Sequence, residues 1–202
     1  MGRRSDHTRE ELTELALTAG HDIVATKGLA ALTARAVAER IGYSPGTIYS
    51  LFENFDELVL HVNARTLDRL YEQMAKVELG DDITANLEAL LVCYFKFAED
   101  HQRDWAAVLD YTVPGRVSLP PWYTPHVDQT IAILERAVAP EITANRRRSF
   151  ALIAWASVHG LMVLANAGNL AAFGEPKPAD LAHDMVRYLA TGAAADEATS
   201  AR

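Results

Sequence analysis

The stretch Thr33 to Phe52, TARAVAERIGYSPGTIYSLF, constrains the chain most, because its middle forbids one continuous helix. Gly42 has no Cβ and can take the left-handed conformation that turns the chain. Ser44 and Pro45 then supply an N-cap and a first helical position. The result is two short helices joined by a tight turn. Val37 and Ile41 sit four apart on the first and Ile48 and Phe52 on the second, so each helix turns one apolar stripe inward. The open side of the second begins with Ser44, Gly46, Thr47 and Ser50. Their low bulk and hydroxyl groups suit a helix pushed into the major groove of DNA.

The flanks support this arrangement. Thr8-Arg9-Glu10-Glu11 is a capping-box pattern, and Leu12, Ala16, Ala19 and Ile23 repeat at helical spacing until Lys27-Gly28 gives a basic last turn and a stop. This predicts a first helix of about five turns. It covers the two short helices through a small core of Leu12, Ile23, Leu29, Val37, Ile41, Ile48 and Phe52. Arg3 and Arg4 precede it, either as an arm for phosphate or the minor groove or as a disordered basic end.

In order, Thr33, Val37, Ala38, Gly42, Ser44, Gly46, Thr47, Tyr49, Phe52 and Leu58 resemble the N-terminal DNA-binding domain of the TetR family of bacterial transcriptional regulators. One departure stands out. The family usually carries a lysine at the start of the fourth helix, where this chain reads FENFDEL and places Phe55, so a common phosphate contact is missing. The expected DNA-binding set is Thr33, Arg35, Ser44, Pro45, Gly46, Thr47, Tyr49 and Ser50. Ser44, Gly46, Thr47 and Ser50 approach base edges; Thr33, Arg35 and Tyr49 hold phosphates.

At 202 residues the chain can bury a full core, and one small domain plus one larger one fits that length. An isoelectric point near 5.3 argues against a generally sticky nucleic-acid binder. The acidic excess is uneven: residues 1–52 hold 6 basic and 6 acidic side chains, leaving 13 basic and 21 acidic for the rest. A neutral head can thus present Arg3, Arg4, Arg35 and Lys27 while an acidic body turns away from phosphates. The single cysteine, Cys93, gives no disulfide framework and no thiolate metal cluster, and in ALLVCYFKF it reads as a buried structural thiol. The polar N-terminus shows no signal peptide, which makes the expected location cytoplasmic.

Beyond residue 52 the pattern is helical throughout, with no sustained strand alternation. A long fourth helix is expected from Asp56 into the Lys76 region, then helices near Ile83 to Ala98, His101 to Tyr111, Trp122 to Val138, Thr143 to Ala167 and Pro178 to Ala190. The fold class is all-α: a three-helix helix-turn-helix domain at 1–55, a larger helical domain at 56–192, and a flexible tail at 193–202. Phe150 to Ala165 is apolar but short for a bilayer, and Ser157, His159 and Gly160 interrupt its middle, so a helix buried on several sides is expected rather than a membrane span.

The break VPGRVSLPPWYTP, Val113 to Pro125, has four prolines and a glycine and reads as the rim or lid of a pocket. Tyr94, Phe97, Trp105, Tyr111, Trp122, Tyr123 and His159 form the candidate effector-binding set, each of the aromatics serving equally as core filling. By the same resemblance, the 143–167 and 178–190 helices form a homodimer interface, the body encloses a cavity for a small effector, and Trp155, His159 and Gly160 are similar to a Trp-His-Gly type of C-terminal domain; an aromatic lining of that cavity favours an apolar or aromatic effector. His159 also reads as a satisfied buried histidine.

The resulting expectation is a regulator that binds a palindromic operator in double-stranded DNA and is released by its effector. No nucleophile elbow, phosphate-binding glycine loop or HExxH motif is present, so no catalytic residue, metal or cofactor is expected. The alternatives are a helical ligand-binding or interaction protein, which leaves the Ser44 to Tyr49 surface without a purpose, and a metal-dependent helical-bundle enzyme. The latter has only two isolated pairs, Glu57 with His61 and Asp180 with His183, to draw on.

Overall fold

A computed structural model gives the protein's structure at residues 7–113, 118–174 and 177–200. Arg3 and Arg4, Pro114 to Val117 of the interior loop, and the last two residues of the expected tail lie outside the described residues. Among those described there are nine α-helices, two short 3-10 turns and no strand. The helices are α1 (Arg9–Lys27), α2 (Ala34–Ile41), α3 (Pro45–Leu51), α4 (Phe55–Met74), α5 (Ile83–Asp100), α6 (Gln102–Asp110), α7 (Thr124–Ala137), α8 (Ala144–Asn166) and α9 (Pro178–Ser200).

Local signals set the helix ends. Thr8 and Glu11 form the expected reciprocal cap, with the Glu11 amide donating to Thr8 Oγ1 at 3.2 Å and the Thr8 amide to Glu11 Oε2 at 2.8 Å. Thr33 caps α2 by accepting from the Ala36 amide at 3.0 Å. Gly42 ends it in the left-handed region, φ 78°, while the Tyr43 amide reaches back to the Ala38 carbonyl at 2.8 Å. Ser44 stands at the N-cap of α3 in an extended conformation, but its side chain makes no capping bond. Instead its Oγ lies 3.3 Å from Thr47 Oγ1, and its carbonyl accepts from the Thr47 amide at 2.9 Å.

The chain divides into two compact units, the first comprising the residues up to Leu67 together with His101–Tyr123. Its core joins α1, α2, α3 and the first part of α4. Val37, Ala38, Leu58 and Val59 are fully buried, with Ile48 and Phe52 nearly so. Leu29 and Ile41 sit at the edge of this core. A Cβ on Gly20 would stand 3.0 Å from Val62 Cγ2, so α1 and α4 approach closely here and a larger residue would push them apart. Helix α6 belongs to this unit. Ala107 enters the core, Asn63 Nδ2 donates to the Ala107 carbonyl at 3.1 Å, and the Tyr111 hydroxyl donates to the Asp56 carboxylate. Burial of Ala107 and Trp105 groups this later helix with the first 67 residues in one compact unit.

The second unit comprises Asp68–Asp100 and the residues from Thr124 onward. Ile83, Leu90, Phe97, Ile131 and Ile133 are buried in its interior. Asn86 ties two backbone segments together: its Nδ2 donates to the carbonyls of Gly80 at 2.9 Å and Ala137 at 2.8 Å, and its Oδ1 accepts from the Gly80 amide at 2.7 Å. Such a saturated buried amide rigidifies the packing of α5 against the end of α7.

Within one chain, Ala151 and Ala154 are the buried residues of α8, while Leu152, Ile153 and Leu164 are exposed, so burial on several sides is not reached by the single protomer. One expectation is corrected. Helix α9 continues to Ser200 instead of stopping at Ala190, so the expected flexible tail is helical up to that residue. The run GAAADEA lacks a proline and is rich in alanine, the strongest helix former, which outweighs its small, polar character.

Replacing Gly42 with alanine is expected to cost about 1 kcal/mol, since an L-residue must then hold the left-handed turn. Urea unfolding followed by circular dichroism reads this directly, and an unchanged midpoint would mean that the turn can relax.

Candidate nucleic-acid interface and effector pocket

Of the predicted DNA-binding residues, Thr33, Arg35, Ser44, Pro45, Gly46, Tyr49 and Ser50 are exposed, and Thr47 is half-buried. Helix α3 thus buries Ile48 on the core side and turns Tyr49, 59% exposed, to solvent. The hydroxyls are not equivalent. Ser50 donates to the Thr47 carbonyl at 2.7 Å, leaving its lone pairs to accept from a base or phosphate partner. Thr33 accepts from the Ala36 amide, leaving its O–H free to donate outward. A Cβ on Gly46 would meet only Ser44 Oγ at an ordinary 3.7 Å, so the fold itself does not demand glycine at this point.

Three contacts around this surface have no sequence signal. Arg9 reaches the Leu51 carbonyl at the end of α3 at 3.2 Å, and His7 Nδ1 meets the Tyr43 hydroxyl in the turn at 2.9 Å. Arg40 is paired with Asp22 at 2.9 Å. Partners 42, 36 and 18 residues apart lie beyond any local pattern. Phe55, where the resemblance leads one to look for lysine, packs half-buried against the head core.

The candidate effector residues do not converge. Tyr94 and His159 line one cavity in the second unit. Phe97 is sealed in the core with no exposed surface. Trp105, Tyr111, Trp122 and Tyr123 belong to the first unit. There Trp122 lies flat on His61, ring centroids 3.9 Å apart and planes within 10°. Burial, then the hydrogen bond and charge of Asp56, push the Tyr111 phenol well up, so it remains a donor. Trp105 on α6 and Tyr123 are buried in the first unit, whereas Tyr111, packed against the head core, and Trp122 are half-buried. Glu57 and His61 come within 3.9 Å, and among the described residues no group of three metal-binding side chains forms.

The cavity in the second unit is walled by Leu70, Leu90, Met74, Met185 and Trp155 among others, with about 50 Å³ of free space. His159 stacks on Trp155, 4.8 Å between centroids. Burial holds its imidazole below the usual range, which keeps it neutral.

Residues 87–189, half of the chain, match the family model described as "Tetracyclin repressor-like, C-terminal domain", and residues 16–62 match "Bacterial regulatory proteins, tetR family". The chain belongs to the TetR family. This TetR-family protein is accordingly a DNA-binding transcriptional regulator, of a kind that generally works without catalysis. Its fold is shared by a TetR transcriptional regulator from Rhodococcus sp. RHA1, with a TM-score of 0.68 at 17% identity over 92% of this chain and 97% of that one. A second transcriptional regulator from Rhodococcus sp. RHA1 gives 0.67 at 22% identity, covering 90% and 97%. SmeT, the repressor of the Stenotrophomonas maltophilia multidrug efflux pump SmeDEF, gives 0.56 at 18%, covering 90% and 89%. At such identities the likeness is one of fold. No curated protein matches this TetR-family chain in sequence.

Because the folded-state pKa of His159 lies below its unfolded value of about 6.5, acidification protonates the unfolded chain first. Its contribution to stability is present above that value and is lost as pH falls toward the folded pKa. The His159 ring proton should titrate in NMR with a midpoint below about 6.5. The urea midpoint should fall more for the wild type than for His159→Gln between about pH 7 and about pH 5.5. A midpoint at or above the unfolded value would contradict the burial argument.

Proposed function

We propose that this regulator acts as a homodimeric repressor in the cytoplasm, bound to an approximately palindromic operator and released by a small apolar or aromatic effector. One observation carries the reading. Helix α3 is anchored from beneath by Ile48 and presents Ser44, Gly46, Thr47, Tyr49 and Ser50 on an open face, with Thr33 and Arg35 beside it at the start of α2. In a two-fold dimer, two such helices enter successive major grooves about 34–36 Å apart, which makes the operator an inverted repeat. Thr47, Ser44 and Ser50 read base edges, while Thr33, Arg35 and Tyr49 hold phosphates and set the register.

The dimer forms through α8 and α9. Their surface carries Ile153 and Tyr188, 52% and 70% exposed, beside Phe150 and Leu189. Exposed apolar area on this scale is normally covered by a partner. Helix α8 is long and apolar enough by composition to cross a membrane, with 11% of its apolar window buried. Ser157, His159 and Gly160 near its middle favour a protein partner over lipid. The effector occupies the cavity lined by Tyr94 and His159. It weakens DNA binding by favouring a body conformation in which the two heads no longer match the groove spacing, which requires tighter binding to that state than to the operator-bound one. No catalytic step is involved.

Fluorescence anisotropy of the protein with the DNA flanking its own gene, against a scrambled duplex, tests the reading. Sequence-dependent binding is expected. Thr47→Ala with Tyr49→Phe should abolish the preference, and Arg35→Ala should weaken binding to both duplexes and reduce the salt slope by about 1. Intact operator affinity in the double variant would remove α3 as the recognition helix. Ile153→Glu should shift the protein to monomer in analytical ultracentrifugation and cost operator affinity, whereas a persistent dimer would place the interface elsewhere.

A further inference from the structure

Two polar atoms are out of keeping with the apolar cavity of the second unit. Thr130 Oγ1 on α7 and His159 Nδ1 on α8 are both buried, and neither has a hydrogen-bond partner within the described protein. Both residues line the cavity. Thr130 is 4% exposed, and its hydroxyl oxygen is among the buried atoms. Buried polar groups are nearly always paired, and a pair of orphans facing one cavity is the pattern of a site that a ligand completes.

The rest of the wall specifies what that ligand is. Among the described residues, no aspartate, glutamate, lysine or arginine lines the cavity, so an ionised ligand would lose its hydration without gaining a counter-charge. His159 is held neutral by burial and supplies no fixed charge either. A threonine hydroxyl donates and accepts, and a neutral imidazole nitrogen does one or the other according to tautomer. A hydroxyl or carbonyl oxygen satisfies that pair, and a hydrocarbon does not. The about 50 Å³ of free space is small beside drug-sized sites, and the flexible side chains of Met74 and Met185 let the wall adjust by small amounts.

We propose that this cavity takes a compact, uncharged, largely apolar molecule with a single hydroxyl or carbonyl group, held by Thr130 and His159. This rests on reading the cavity as the effector site and adds the chemistry that the effector must have.

Isothermal titration calorimetry of the full-length protein without DNA tests it with three probes of one shape: para-propylphenol, propylbenzene and para-propylbenzoate. The phenol should bind about ten-fold tighter than the hydrocarbon, the size of one well-made buried hydrogen bond, and the benzoate weakest of all. Thr130→Val combined with His159→Phe should shrink the phenol's advantage to within about three-fold. The near-isosteric Thr130→Val alone, with a partial loss, serves if the double variant fails to fold. Equal binding of phenol and hydrocarbon, tightest binding of the benzoate, no binding of any probe, or an advantage that survives the substitutions would each overturn the proposal. Operator anisotropy with each probe tests the effector reading separately. A phenol that binds as stated but leaves DNA affinity unchanged would sink the effector reading and keep the cavity chemistry. Release driven by the benzoate would do the reverse.

Discussion

Helices α2 and α3 are 8 and 7 residues long, too short to persist in water by their own hydrogen bonds, and they exist because Val37, Ala38, Ile48 and Phe52 are buried in one core with Ala16, Ile23 and Val24 of α1 and Leu58, Val59 and Val62 of α4. Burial of each large apolar side chain stabilises this arrangement by about 1.5–3 kcal/mol, against about 1 kcal/mol for a typical cap. The reading surface therefore inherits its geometry from this shared core, in which α3 packs on α2 and α1. Gly20 tightens the same core by letting α1 close on Val62. Phe55 continues it at the head of α4, where packing takes the place of a positive charge.

The second unit is organised around different constraints. Asn86 and the Asp68 carboxylate, which accepts from His126 and Gln129 at 2.7 and 2.6 Å, fix α5, α7 and the later part of α4 by directional bonds. Against this rigid frame stand an apolar surface on α8 and α9 without cover in the single chain and a cavity with two unpaired polar atoms. On the proposed reading, a second subunit covers the first and the effector fills the second.

The helix-turn-helix was legible in the sequence because its determinants are local: a cap at Thr8, a stop at Gly42, a proline at the first position of α3, and apolar pairs four apart. The later helices were legible for the same reason, since periodicity survives without knowledge of neighbours. The pocket was not. Aromatic residues on α5 and α6 share one spacing whether they line a cavity or fill a core, and only the three-dimensional neighbours separate Tyr94 from Phe97 or Trp105. Thr130 gave no signal at all, because a threonine in a helix is unremarked until its hydroxyl is seen without a partner. The reach of α9 to Ser200 follows from the helix propensity of its alanines, which its small, polar character masks in the sequence.

The head unit is discontinuous in the gene. Helix α6 and the segment through Tyr123 complete it, with Ala107 in its core, Asn63 bonded to the Ala107 backbone and Trp122 stacked on His61. A reading head cut from the first 67 residues would lose those partners and expose the surface they cover. Transplanting the sequence specificity of this protein onto another body thus means carrying two stretches of chain, or grafting only the outward residues of α3 onto a host whose own head is intact.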